Sequence, residues 1–229
     1  QYIGGLEHAV LHLLYSRFFI KAMKKLNLIN LNEPFKSLQT QGMVCHQTYK
    51  NSNNEWIFPK DVMKENDTFF TIRDKQIVNP GRIEKMSKSK KNVIDPNTIV
   101  DTFGSDTARF FILSDSPPQR DMEWTDEGVE GASRFLNKVW QLINDGDYKD
   151  VPYQKIKHDN ENDFNIFLCT YKTIKNVTQA IDDFHFNIAI ANIRTLFNEL
   201  IFYKNQKNNN KIILELSITL YEKRQVLDK

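Results

Sequence analysis

Cysteine is scarce in this chain: Cys45 and Cys169 are the only two among 229 residues, and neither belongs to a CxxC pattern. That excludes a zinc ribbon or a disulfide scaffold and points to a reducing, cytoplasmic compartment. An excess of one charge is also missing. Lys and Arg number 31 against 29 Asp and Glu, a formal net charge of +2. Any nucleic-acid partner must therefore be held by local patches, not by a uniformly basic body. No apolar run reaches the roughly 18 residues that a membrane span needs, and no membrane partner is expected. The opening "QYIGGLEHAV" has no initiator Met, basic leader or cleavage signature, and it reads as the end of a strand. The expectation is a piece of a longer protein whose N-terminal half is missing.

Hydrophobic residues make up 40% and charged residues 26%, an ordinary globular composition with room for one large or two modest domains. "QYIGG" reads as a strand entering a glycine turn. From Leu6 to Leu26 a helical period follows, with Val10, Leu13, Leu14, Phe18, Ala22 and Leu26 on one face. Together these make half of a βαβ unit, whose glycine turn lies at the carboxyl end of the sheet, where ligands bind. Asn32 and Pro34 predict a short helix over "NEPFKSL". "GMVCHQTY", "EWIFP" and "TFFTI" read as strands of a small antiparallel or mixed excursion.

Further on, Asp95 is placed to cap a helix that stops at Gly104, and Ser105 to cap the next, with Ala108, Phe111 and Ile112 as its apolar stripe. "PPQ" breaks it. Helices are predicted near 126–145, 160–182, 185–206 and 209–224, with 146–158 as linker. The last three are read as a bundle facing inward through Phe164, Leu168, Tyr171 and Ile174, and through Ile190, Ile193, Phe197 and Leu200.

Two clusters carry candidate chemistry. "GRIEKMSKSKKNVIDP", Gly81 to Pro96, holds five cations, Arg82, Lys85, Lys88, Lys90 and Lys91, against Glu84 and Asp95. By composition it suits a solvated turn, a targeting patch or a polyphosphate clamp. In the second cluster Glu7, His8 and His12 stand close together. His8 and His12 have the i,i+4 spacing of zinc proteases, but Ala9 occupies the position where those enzymes carry Glu. No metal site is expected. The acids Asp121, Glu123, Asp126, Glu127 and Glu130 fit an acidic helix start better than a carboxylate pair for hydrolysis. Lys138, Lys172, Lys175 and Arg194 can reach phosphates, although solvated helix faces are the default reading.

"KMSKS", Lys85 to Ser89, resembles the signature of class I aminoacyl-tRNA synthetases, and "YIGGLEHAVLHLLYSRF" resembles the leucyl-type members. So do "EPFKSLQTQGMV" and "SPPQRDMEWTDEGVEGASRFLNKVW", whereas "GSDTARFF" is shared with the valyl, isoleucyl and methionyl types. The resemblance implies an α/β then all-α architecture: the C-terminal half of a Rossmann-type nucleotide-binding fold, then a helical bundle. It places the rear half of the catalytic domain at 1–122 and a truncated anticodon-binding-type helical domain at 123–229. It implies ATP, used as a substrate with Mg2+ and with no tightly bound cofactor, and leucine and tRNA(Leu) as partners.

Lys88 and Lys85 match the family's catalytic lysines, and Lys85, Met86, Ser87, Lys88 and Ser89 would line the phosphates. Gly5, Glu7, His8, Gln41, Gly42 and Met43 would line the adenosine side, with Met43 equally readable as a buried strand residue. His12 is read as structural, and Lys90 and Lys91 as solvated neighbours. The family's "HIGH" motif is absent from the sequence, so this stretch alone is expected to be inactive. A non-catalytic tRNA- or RNA-binding module built on the same half-fold is the alternative.

Overall fold

The computed structural model describes residues 1–144 and 161–206. The linker predicted at 146–158 and the helix predicted at 209–224 lie outside the described residues. The chain divides into two compact units: Gln1–Thr98 with Pro118–Asp126, and Ile99–Pro117 with the chain from Glu127 onward.

In the first unit, β1 (Tyr2–Gly5) and β2 (Leu38–Gln41) pair in parallel, with Gly5 opposite Gln41. Between them run a 3-10 turn, Leu6–Val10, and α1 (His12–Lys25). The expected half-unit is thus a complete βαβ crossover. The short helix expected over "NEPFKSL" does not form. Tyr2 donates its N–H to the Ser37 carbonyl, and Leu38 onward pairs with β1, so the backbone of this stretch is recruited by the strand. Asn32 accepts from Lys24 through its side chain instead of capping. The helical period read from Leu6 to Leu26 is broken at Leu11 (φ −115°, ψ −101°), so Val10 lies in the 3-10 turn and not on α1, and Val10, Leu14, Phe18 and Leu26 all lie exposed.

The other sheet orders β4 (Trp56–Ile57), β3 (Val44–Lys50), β7 (Ile77–Lys85), β6 (Thr68–Thr71) and β5 (Val62–Glu65), with β8 (Met122–Glu123) also paired to β3. All of its pairings are antiparallel except β3 with β8. Its turns follow local chemistry. Asn66 and Asp67 both adopt positive φ (45° and 64°) in the two-residue link from β5 to β6, where both central residues must be left-handed. Asn51 folds the β3–β4 connection by accepting the N–H groups of Asn53 and Glu55 at 3.0 and 2.9 Å. A bulge between Gln47 and Tyr49 brings the Thr48 hydroxyl against Gly81, where an added Cβ would lie 2.4 Å from Oγ1. The buried Thr48 donates to the Arg82 carbonyl at 2.9 Å. Tyr49, Val78, Met122 and Trp124 form the buried apolar set of this unit.

α2 (Pro96–Phe103) begins in the first unit and ends in the second. Asp95 accepts the Asn97 N–H at 3.0 Å, and Gly104 stops the helix at φ 85°. Gly104, not Ser105, then occupies the cap position of α3 (Ser105–Asp115). Phe111 is buried as read, while Ile112 is exposed. α4 (Asp126–Asn144), α5 (Glu161–Asp182) and α6 (Phe186–Lys204) follow at nearly the predicted bounds.

The inward face of α6 is the expected one, with Ile190, Phe197 and Leu200 buried. The inward face of α5 is not. Phe164, Leu168 and Tyr171 are exposed, and the buried row is Asp163, Ile166, Thr170 and Thr173. Polar side chains face the core here because they find partners. The buried Tyr203 hydroxyl donates to Asp163 Oδ1 at 2.6 Å, and Thr170 donates to the Ile166 carbonyl at 2.9 Å. Phe135 stacks on Phe110 and meets Phe197 edge-on. The Arg194 guanidinium lies 5.4 and 5.1 Å from the Phe110 and Phe135 ring centres, so its role is a cation–π cover and not a merely solvated face.

Tyr203→Phe removes the donor to a buried carboxylate and should cost about 1–3 kcal/mol. A lowered urea midpoint with an unchanged slope would show it. An unchanged midpoint would mean that the pair contributes nothing.

Candidate functional site

The basic loop leaves the sheet where β7 ends at Lys85. Met86 adds one more bond to the ladder, its N–H donating to the Val44 carbonyl at 3.0 Å. Residues 88–91 then turn: the Lys91 N–H reaches the Lys88 carbonyl at 3.3 Å, and Lys91 takes a left-handed φ of 56°. Under this turn sits Asn92, 0% exposed. Its Oδ1 accepts the Ser87 N–H at 2.9 Å. Its amide nitrogen shares two hydrogens among the carbonyls of His46 (3.1 Å), Glu84 (3.1 Å) and Lys85 (3.3 Å). Ser87 and Ser89 join their hydroxyls at 2.7 Å.

The five cations divide by these contacts. Lys90 makes an ion pair with Glu84, and the Lys91 ammonium lies 5.5 Å from the Phe58 ring centre. Each thus has a partner besides solvent, although Lys90 is half-exposed and Lys91 exposed. Arg82, Lys85 and Lys88 are exposed and form no ion pair among the described residues. The backbone of the turn is thus fastened while the Lys85 and Lys88 ammonium groups stay free to meet an anion.

The second cluster lies at the carboxyl ends of β1 and β2, where parallel strands present ligands. Strand register sets Gly5 beside Gln41, and Gly42 and Met43 follow directly. The Glu7 carboxylate folds over Gly5, filling the place of a Cβ: an added one would lie 2.3 Å from Oε2. The His8 ring meets Tyr2 and His12 edge-on, and its Nδ1 is buried without a hydrogen-bond partner among the described residues. His12 stacks on Tyr2 with ring centres 5.4 Å apart, in keeping with a structural role.

Gly42 and Met43 have structural duties too. The Gly42 N–H donates to the Pro118 carbonyl at 2.8 Å, and a Cβ on Gly42 would lie 2.0 Å from the Arg120 carbonyl oxygen. Asp121 Oδ1 accepts the Met43 N–H at 2.6 Å. Asp121 and Asn92 were not singled out for these roles at the level of sequence; a lone Asn after a lysine run carries no signal of burial.

The two clusters stay separate. Among the described residues no hydrogen bond, ion pair or ring contact joins Lys85–Ser89 to Gly5, Glu7, His8 or Gln41. No group of three His, Cys, Asp or Glu side chains among the described residues gathers to hold a metal. A cavity beside the last turn of α1, lined by Lys21, Lys24, Lys25, Asn27, Asn32 and Glu33, contains none of these candidates.

Residues 57–125 match a family model described as tRNA synthetases class I (I, L, M and V). The leucine–tRNA ligase of Paramagnetospirillum magneticum is 46% identical over 203 residues, 87% of this chain and 23% of its own length. That of Rickettsia prowazekii is 47% identical over 210 residues, 91% of this chain and 24% of its own. The chain therefore spans about a quarter of the length of the curated relatives it matches. Among solved structures, the leucyl-tRNA synthetase of Agrobacterium radiobacter K84, in a ternary complex with tRNA and LeuAMS, superposes with a TM-score of 0.69 at 30% identity. It covers 96% of this chain, which covers 24% of it. The methionyl-tRNA synthetase of Mycobacterium tuberculosis, bound by methionyl-adenylate, shares the fold with a TM-score of 0.54 at 13% identity. The leucyl-type resemblance carried by the motifs thus extends over most of the chain.

Burial, then the Asp121 and Glu123 carboxylates, push the Cys45 thiol up. Its alkylation midpoint should exceed the roughly 8.5 of a free cysteine. Glu123→Gln should lower the midpoint only in part, because burial is the larger cause. Alkylation rates followed against pH would check this, and a midpoint at or below the free value would contradict it.

Proposed function

We propose that this chain is the rear part of a leucine–tRNA ligase, and that its basic loop stabilises the pyrophosphate leaving group during leucine activation. The observation that carries the reading is the loop's division of labour. Its backbone is tied to β7 through Asn92, two of its lysines are held, and Lys85 and Lys88 remain unpaired beside two serine hydroxyls. The leucyl-type relatives supply the reaction class.

In the reaction, a leucine carboxylate oxygen attacks the α-phosphorus of ATP, which enters as the magnesium complex, and the bond to pyrophosphate breaks. A terminal ribose hydroxyl of tRNA(Leu) then attacks the leucyl carbonyl carbon, and AMP leaves. Negative charge grows on the departing pyrophosphate in the first step. Flexible ammonium groups at Lys88 and Lys85 follow it, and the Ser87 and Ser89 hydroxyls donate to its oxygens, with Met86 shaping the turn.

Gly5, Glu7, His8, Gln41, Gly42 and Met43 take the adenosine side. The Glu7 carboxylate suits ribose hydroxyls, and the unpartnered His8 Nδ1 is a polar atom waiting for one. Residues 1–122 belong in this reading to the catalytic domain and 123–229 to the helical tRNA-binding domain. The rest of the parent's nucleotide fold covers the exposed apolar face of α1. The compartment is the cytoplasm, and no helix among the described residues is long and apolar enough to cross a membrane. No observation favours a non-catalytic RNA-binding module.

The test is leucine-dependent ATP–pyrophosphate exchange by the full-length parent. Lys88→Ala should lower kcat roughly 100- to 1,000-fold, the usual loss when one preorganised group is withdrawn from a developing charge. An unchanged rate would overturn the loop assignment.

A further inference from the structure

Asn92 is fully buried, yet it lies outside the lysine–serine stretch that meets the phosphates in the proposed reading. A buried side-chain amide costs free energy unless its donors and acceptor are used. Here all are used, and every partner is a backbone group of the loop or of its two supporting strands. The Asn92 oxygen accepts one bond, from the Ser87 N–H in the loop. The others go back, to Glu84 and Lys85 at the end of β7 and to His46 on β3. We propose that Asn92 is a positioning residue for the pyrophosphate-forming step, fixing the height and orientation of the Lys88 turn above the β3–β7 pair. This rests on the loop assignment above.

The four bonds span the point where the chain leaves the sheet. The chain leaves the ladder after Met86 and reverses over Lys88–Lys91. With the Asn92 carboxamide gone, Ser87 would lose its N–H acceptor, and three carbonyls would lose the donor that a fully buried side chain gives them. What remains is the Met86 ladder bond, the Lys91 N–H bond to the Lys88 carbonyl, the exposed serine pair, the half-exposed Lys90–Glu84 pair and the Lys91 ammonium near the Phe58 ring. None of these links the Ser87 backbone to the sheet. An ammonium at the end of a four-carbon stem is mobile, so the place from which it searches is set by the backbone that carries it. Misplacing a catalytic group by about 1 Å can lose about 100-fold in rate.

A merely structural asparagine would damage every activity of the enzyme alike. A positioning residue for the first step should not. Once leucyl-adenylate has formed, pyrophosphate has gone, and the loop has no charge left to hold. The experiment therefore compares two steps in the full-length parent: ATP–pyrophosphate exchange, and transfer of leucine from isolated leucyl-adenylate to tRNA(Leu). Asn92→Ala should lower kcat for exchange roughly 10- to 100-fold, change KM for ATP less than kcat, and leave transfer within about twofold. Because the effect runs through Lys88, adding Asn92→Ala to Lys88→Ala should cost little more than Lys88→Ala alone.

Equal losses in exchange and transfer would overturn the proposal, as would full multiplication of the two single losses. Unchanged exchange in Asn92→Ala, alongside a large loss in Lys88→Ala, would reject Asn92 and leave the loop assignment standing. Unchanged exchange in Lys88→Ala would reject both. Should Asn92→Ala fail to fold, Asn92→Asp serves in the same arms. It keeps the size and the acceptor for Ser87 but loses the donors to the three carbonyls, and the same exchange-specific loss is expected.

Discussion

The antiparallel pairing of β3 with β7 is the constraint on which the position of the basic loop depends. Its last register pairs, His46 with Glu84 and Cys45 with Lys85, bring together the carbonyls that Asn92 engages. The same strand β3 takes β8 on its other side, with the Trp124 N–H donating to the Cys45 carbonyl at 2.8 Å. Between Gln47 and Tyr49 the ladder slips by a bulge, and Thr48 repairs the slip by donating to the Arg82 carbonyl. The cationic stretch thus begins inside a sheet and ends on a buried amide, with four turn residues between.

In the proposed reading, that arrangement resolves a tension in the chemistry. Stabilising a leaving group demands charge that moves with it, while preorganisation demands charge already in place. A wholly mobile lysine loop would meet the first demand and forfeit the second. Here the freedom is confined to side chains. Asn92, the Lys90–Glu84 pair and the Lys91 ammonium over Phe58 hold the backbone, and Lys85 and Lys88 project from it unpaired. Lysine is used in both roles, and only its neighbours tell the roles apart.

The elements were legible in the sequence wherever the signal was local. Asp95 and Gly104 bracket α2 because a cap and a left-handed stop act within one turn. The three aromatic, β-branched runs became strands for a similar reason. Failures came where distant partners decide. "NEPFKSL" carries a cap and a proline, but β1 takes its backbone into a parallel pair. The inward face of α5 was misread because hydrophobicity alone selected Phe164, Leu168 and Tyr171. Tyr203, on a different helix, supplies the buried Asp163 with a hydrogen-bond donor, and nothing near Asp163 in the chain announces it. The site divides likewise. Its lysines, serines and glycine turn are visible as motifs, while Asn92 and Asp121 are recognisable only once the strands have delivered their backbone partners.

The glycine at position 42 shows how a single residue can satisfy two readings. As a site residue it follows β2 at the carboxyl end of the parallel pair, where a missing side chain lets a ligand approach the backbone. As a structural residue it admits the Arg120 carbonyl where a Cβ would otherwise stand. The two are compatible if they use different sides of the backbone. The side on which a Cβ would project is already taken by the segment from Pro118 to Asp121, which also accepts the Gly42 and Met43 N–H groups. A ligand at Gly42 must therefore approach from the opposite side of the backbone. In the proposed reading, the packing that fills one side of the Gly42 backbone leaves the other side to the nucleotide, and the same packing ties Gly42 and Met43 to the acidic segment that leads into α4.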